Sequence, residues 1–163
     1  MSHSAQLERL GHPDGHERDL HFLSLPDFLS MPDSIYLPAR QFVAFVAADA
    51  TGMDVPKLAD FCRKLVQAGC IYFCAWGPDC ERVHDIFDEL ILDTEPVIMT
   101  TCHDKESLDS ALWFFLFSAF PDDGYGAVQN GLAISIGNPA WDKQIRGNLA
   151  DVESFNRKML QKD

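Results

Sequence analysis

Four short apolar runs, at residues 41–48, 70–76, 96–101 and 132–137, alternate with stretches whose apolar residues recur at helical spacing. Few architectures satisfy that alternation. A strand buried on both faces reads as a continuous apolar run, and a helix covering it carries a single apolar stripe, so the pattern calls for a parallel sheet between helices. The expected fold is α/β: a three-layer sandwich with a mostly parallel four-stranded sheet, in a flavodoxin-like or half-Rossmann arrangement. With 163 residues and 47% hydrophobic composition, one domain can bury about two-thirds of its unfolded surface.

The helical stretches carry their own start and stop signals. Asp54 is an N-cap for a helix over 55–68, with Leu58, Ala59, Phe61, Cys62, Leu65 and Val66 on its buried stripe and Gly69 as its stop. Gly77, Pro78 and Asp79 open a second helix in which Cys80, Val83, Ile86, Phe87 and Leu90 face the sheet. Asp104 suits the N-cap of a third helix over 108–120, ended by Pro121. That helix holds Leu112, Trp113, Phe114, Phe115, Leu116 and Phe117 in succession, so it needs cover on more than one side. The cover expected is the N-terminal segment, the C-terminal helix or a second copy of the chain, which makes a homodimer possible.

Residues 1–35 differ from the rest. His3, His12, His16 and His21 stand among Gly, Pro, Asp and Ser, and apolar residues gather only from Leu20 onward. This segment reads as an extension, mobile at its start and laid on the core as a belt thereafter, with Pro26, Pro32 and Pro38 preventing a long helix. Residues 36–163 then form the single domain.

A formal net charge of -12 opposes association with nucleic acid or an anionic membrane, where Lys and Arg must displace counterions. Five cysteines without a C-x-x-C pair fit neither a disulfide framework nor a zinc site, and imply a reducing compartment. Cys70 and Cys74 share a strand face but stand roughly 13 Å apart, too far to bond each other. The sequence shows neither a secretory leader nor a run approaching the roughly 20 apolar residues of a membrane span. The cytoplasm is the expected location.

In open parallel sheets ligands bind outside the carboxyl ends of the strands, where loops and helix N-termini converge. The residues so placed are Asp49 and Thr51 after the first run, Trp76 after the second, Thr101 and His103 after the third, and Asn138 after the fourth. Asp49 and His103 are the candidate acid and base, because an imidazole exchanges protons near neutral pH. Thr51, Trp76, Thr101 and Asn138 are candidate ligand contacts. Cys102 adjoins His103, but neighbours on an extended chain point opposite ways and make no dyad. No nucleophile elbow, phosphate-loop lysine or H-E-x-x-H pair occurs.

Gly124, Gly126 and Gly131 precede a strand rather than follow one, which puts their loop at the amino edge as a flexible connection. His12, Asp14, His16, Asp19 and His21 lack ligand spacing, so neither a metal nor a cofactor is expected. With no complete catalytic constellation, the leading expectation is a non-catalytic module binding a protein partner or small ligand at the carboxyl edge. The alternatives are a small hydrolase or transferase using Asp49 and His103, and an acidic inhibitor or immunity-type protein covering a basic enzyme site.

The segment WGPDCERVHDIFDE, residues 76–89, resembles a small bacterial Rossmann-like domain family of unknown function. The resemblance extends over about residues 42–138 and implies no activity, cofactor or catalytic residue.

Overall fold

The computed structural model describes residues 7–162; His3 and the start of the extension, expected to be mobile, lie outside the described residues. Strands β1 (Leu7–Gly11), β2 (Asp19–Leu25), β3 (Phe42–Ala47), β4 (Cys70–Trp76), β5 (Met99–Cys102) and β6 (Asn130–Ile136) form one sheet in the order β1-β2-β6-β3-β4-β5. All neighbouring pairs are parallel except β1 with β2. Helices α1 (Val55–Ala68) and α2 (Cys80–Leu90) cover one face. The other carries α3 (Leu108–Phe117), α4 (Pro139–Ala150) and α5 (Val152–Leu160). The three layers follow from the apolar runs: every residue of β3 and β6 is buried, which requires helices on both sides.

Six strands replace the four expected, and both additions come from the segment read as an extension. Leu20, Phe22, Leu23 and Leu25 are at most 1% exposed, because β2 lies between β1 and β6 and contributes to the cores on both faces. Pro26 comes directly after the strand's last residue, where the missing amide no longer matters. Only the residues beyond β2 form a belt: Phe28 meets Phe61 of α1 edge-on at 5.1 Å, and Met31 is buried beside it. The parallel strands run β2-β6-β3-β4-β5, with the last strand inserted between the first two. As a whole this differs from the flavodoxin order, while β3, β4 and β5 stand side by side in sequence order with α1 and α2 on one face.

Local signals act as their chemistry dictates in α1 and depart from expectation elsewhere, α3 ending at Phe117 rather than just before Pro121. Asp54 caps α1 by accepting from Lys57 N at 3.0 Å, and Gly69 ends it at φ +113°. The cap of α3 is Ser107, which accepts from Ser110 N at 3.1 Å; Asp104 lies three residues too early. The expected single C-terminal helix breaks at Asp151, whose side chain caps α5. The third strand also starts later than its apolar run, at Met99.

The aromatic helix α3 is covered within the chain. Trp113 Nε1 donates to Asn156 of α5 at 2.9 Å, Phe114 packs on Tyr72 and His103, and Phe117 meets the ring of His16. These aromatic side chains no longer call for a second copy on that face. Among the described residues no helix is long and apolar enough to cross a membrane.

Candidate functional site

The chain leaves β2, β3 and β4 toward the face of α1, and leaves β5 and β6 toward the face of α3. Neighbouring strands whose exits diverge open a crevice between their carboxyl ends. The strand order therefore creates three partings, between β2 and β6, β6 and β3, and β4 and β5.

At the β4/β5 parting the candidate histidine is enclosed. His103 is 4% exposed; Nε2 lies 2.9 Å from Thr101 Oγ1, Nδ1 lies 3.0 Å from Glu106 Oε1, and Phe114 covers the ring at 4.7 Å between centroids. Both nitrogens are engaged within the loop, so neither faces an open site. Thr101 is thus a partner of His103 rather than a free ligand contact. Trp76 Nε1 donates to Glu106 O at 2.9 Å, and its ring meets Trp141 edge-on at 5.0 Å. This parting is closed by its own side chains.

At the β6/β3 parting Asp49 is exposed and closes its own turn, accepting from Thr51 N at 2.9 Å. Hydrogen bonding from the Thr51 side chain, then from its amide, holds the Asp49 carboxyl below the usual range. Asp49 and His103 end strands separated by β4, and each is paired with its own loop rather than with the other. Arg82 fixes the surrounding chain: Nη2 reaches Ala50 O at 2.5 Å, Nη1 binds Met53 O, and Nε reaches Asp79 Oδ2 at 2.9 Å. Gly77 permits the same packing, because a Cβ there would stand 2.0 Å from Ala48 O.

The β2/β6 parting is open. It forms a cleft of about 430 Å³ between Ser24, Leu25 and Pro26 on one side and Gly137, Asn138, Pro139 and Asp142 on the other. Asn138, expected at the edge, is the N-cap of α4 and accepts from the amides of Ala140 and Trp141. Ser24 and Asp142 were not singled out by the sequence, although Asp142 lies in the first turn of α4, where acid is favoured. Ser24 Oγ donates to Asp142 Oδ2 at 2.5 Å. Asp142 Oδ1 and Ser135 Oγ are buried without a hydrogen-bond partner, and Ser135 pairs in register with Ser24. The cleft wall thus carries a carboxylate with one oxygen held by Ser24 and the other buried without a partner.

Metal-ligating side chains gather elsewhere. His84, Asp85 and Asp88 of α2 have ligand atoms within 4.8 Å of one another. The Thr100 hydroxyl already bridges His84 Nε2 at 3.0 Å and Asp88 Oδ1 at 2.6 Å. The N-terminal histidines are dispersed: His12 pairs with Asp19, His16 with Leu116 O, and His21 with Asn130. Cys80 and Cys102 do meet, with Sγ atoms 3.1 Å apart; their 22-residue separation hid that pairing.

Fold and edge together define an α/β protein with a mostly parallel six-stranded sheet and an open crevice at the carboxyl ends of β2 and β6. The chain belongs to the family described as Domain of unknown function (DUF7684), whose model matches residues 20–152. The match begins within β2, so the second strand is part of what defines the family. Comparison with curated proteins and with solved structures finds no match.

Proposed function

We propose that this protein is a non-catalytic binding module that receives a cationic group, an ammonium or guanidinium of a basic partner, in the cleft between β2 and β6. The observation that carries the reading is the Ser24–Asp142 pair, where one carboxylate oxygen is hydrogen-bonded and the other is buried and unpaired. A partly buried carboxylate lacking compensation is stabilised by a cation with several N–H donors. The loops along the carboxyl edge of the sheet add Asp27, Asp49, Asp79 and Asp104, all exposed, which steer a basic partner toward this edge. Enclosure of His103 removes the group an acid–base mechanism needs, which favours binding over hydrolysis or transfer. An inhibitor or immunity-type role is one form the same reading takes. The free state of all five cysteines supports a reducing compartment such as the cytoplasm.

The test is a titration of the isotopically labelled chain with an arginine-rich hexapeptide, followed by amide shifts. The expected result is saturable shifts centred on Ser24, Gly137 and Asn138, lost in Asp142→Asn and weakened by salt. Shifts spread evenly over the acidic surface, or unchanged by Asp142→Asn, overturn the reading.

A further inference from the structure

The outer strand of the sheet, where α2 packs on β5, is separated from that cleft by β3 and β4. There His84 Nδ1 stands 3.2 Å from Asp85 Oδ1 and 3.6 Å from Asp88 Oδ2. On the other side of the ring, the Thr100 hydroxyl of β5 lies 3.0 Å from His84 Nε2 and 2.6 Å from Asp88 Oδ1. A carboxylate only accepts, so the hydroxyl donates its one proton to Asp88 and accepts from His84 Nε2–H. In the neutral ring Nδ1 then turns its lone pair toward the two carboxylates. Strand β5 thereby fixes the tautomer and the aim of an imidazole that belongs to α2. Three electron-rich atoms converge, and a positive charge among them stabilises the arrangement.

No Lys or Arg supplies that charge. Arg82, the one such residue of α2, is turned to Asp79, Ala50 O and Met53 O. Among the described residues no Lys or Arg pairs with Asp85 or Asp88, and Glu81 and Glu89 of the same helix, both exposed, add to the negative field. A second proton on His84 serves the carboxylates unequally, because a single N–H points at one acceptor. A metal ion can meet all three atoms. Ligand atoms about 2.0–2.1 Å from a tetrahedral ion stand roughly 3.3 Å apart, close to the two separations here. Ligating imidazoles and carboxylates are held by outer hydrogen bonds, and the Thr100 hydroxyl holds both at once. Imidazole nitrogen beside carboxylate oxygen suits zinc and its neighbours over magnesium or calcium. We propose that His84 Nδ1 and one oxygen each of Asp85 and Asp88 bind a divalent transition-metal ion of the zinc class, with water completing its coordination on the exposed side of Asp85.

Titration of the full reduced chain with Zn²⁺ at about pH 7.5 in a non-coordinating buffer, followed by calorimetry and by side-chain ¹⁵N spectra of the histidines, tests this. The His84 Nδ1 resonance is expected to move and saturate below about 100 μM Zn²⁺, with Nε2–H retained and amide shifts centred on residues 84–88 and Thr100. Mg²⁺ in about tenfold excess should leave these shifts unchanged. Asp85→Ala removes one ligand at a side chain that is 77% exposed, and should weaken binding at His84 at least about tenfold with the fold retained. Thr100→Val keeps all three ligands and the side chain's shape, and should weaken it about tenfold through loss of the outer hydrogen bonds alone. A His84 Nδ1 resonance unmoved by Zn²⁺, shifts confined to Cys80 and Cys102 or to the N-terminal histidines, or unchanged affinity in Asp85→Ala overturns the proposal.

Discussion

Replacing His103 by alanine separates a structural from a chemical role for the imidazole at the end of β5. The substitution deletes two side-chain hydrogen bonds, to Thr101 Oγ1 at 2.9 Å and to Glu106 Oε1 at 3.0 Å, and the ring contact with Phe114. At about 1 kcal/mol net per hydrogen bond and a similar amount for the ring pair, the loss sums to about 3 kcal/mol. For a domain of this size each kcal/mol lowers Tm by about 2–4 °C, so the expected drop is roughly 6–12 °C. The assay is thermal unfolding followed by circular dichroism, with urea unfolding to check that m is unchanged. Glu106→Ala should show part of the same loss and couple to His103→Ala in a double-mutant cycle, because the two share a bond. A shift below about 2 °C with wild-type spectra would sink the structural assignment and restore His103 as a candidate for chemistry.

Three further outcomes are expected. Gly77→Ala puts a Cβ 2.0 Å from Ala48 O at φ +117° and should cost at least about 2 kcal/mol in urea unfolding; a neutral result would show that the β3 and β4 exit loops are not packed together. Mild oxidation with diamide should join Cys80 to Cys102, whose Sγ atoms stand 3.1 Å apart, giving a mass loss of two hydrogens and a gain of roughly 3 kcal/mol. Burial pushes Cys102 up to about 12, so the reaction should quicken about tenfold per pH unit near neutrality, and a pH-independent rate would contradict thiolate attack. Burial lowers the His21 pKa below its usual 6.5, so its contribution is complete above pH 6.5 and is lost as pH falls through the folded-state value. Tm should therefore decline below pH 6.5 more steeply in wild type than in His21→Gln, and equal slopes would exclude His21 as the cause.

What the sequence discloses depends on how local the determining contacts are. The bounds of α1 are legible because Asp54, the apolar stripe and Gly69 act within a few residues of each other. Strand β2 is harder to recognise, since its apolar residues sit between a His-rich stretch and Pro26 and its buried state depends on β6, more than 100 residues later. Asn138 could be placed at the carboxyl edge from the strand that precedes it. Its neighbours in the cleft could not, because Ser24 and Asp142 lie 118 residues apart and meet only when β6 inserts between β2 and β3. That insertion has a consequence of its own. Were β3 beside β2, both exits would turn to the α1 face and no parting would form between them; with β6 between, its exit to α4 divides the edge on either side. The last strand of the sheet thus both completes the core and creates the crevice. A segment that closes the fold late in the sequence positions the acceptors of the cleft, which is why their residue types are common and their placement is informative.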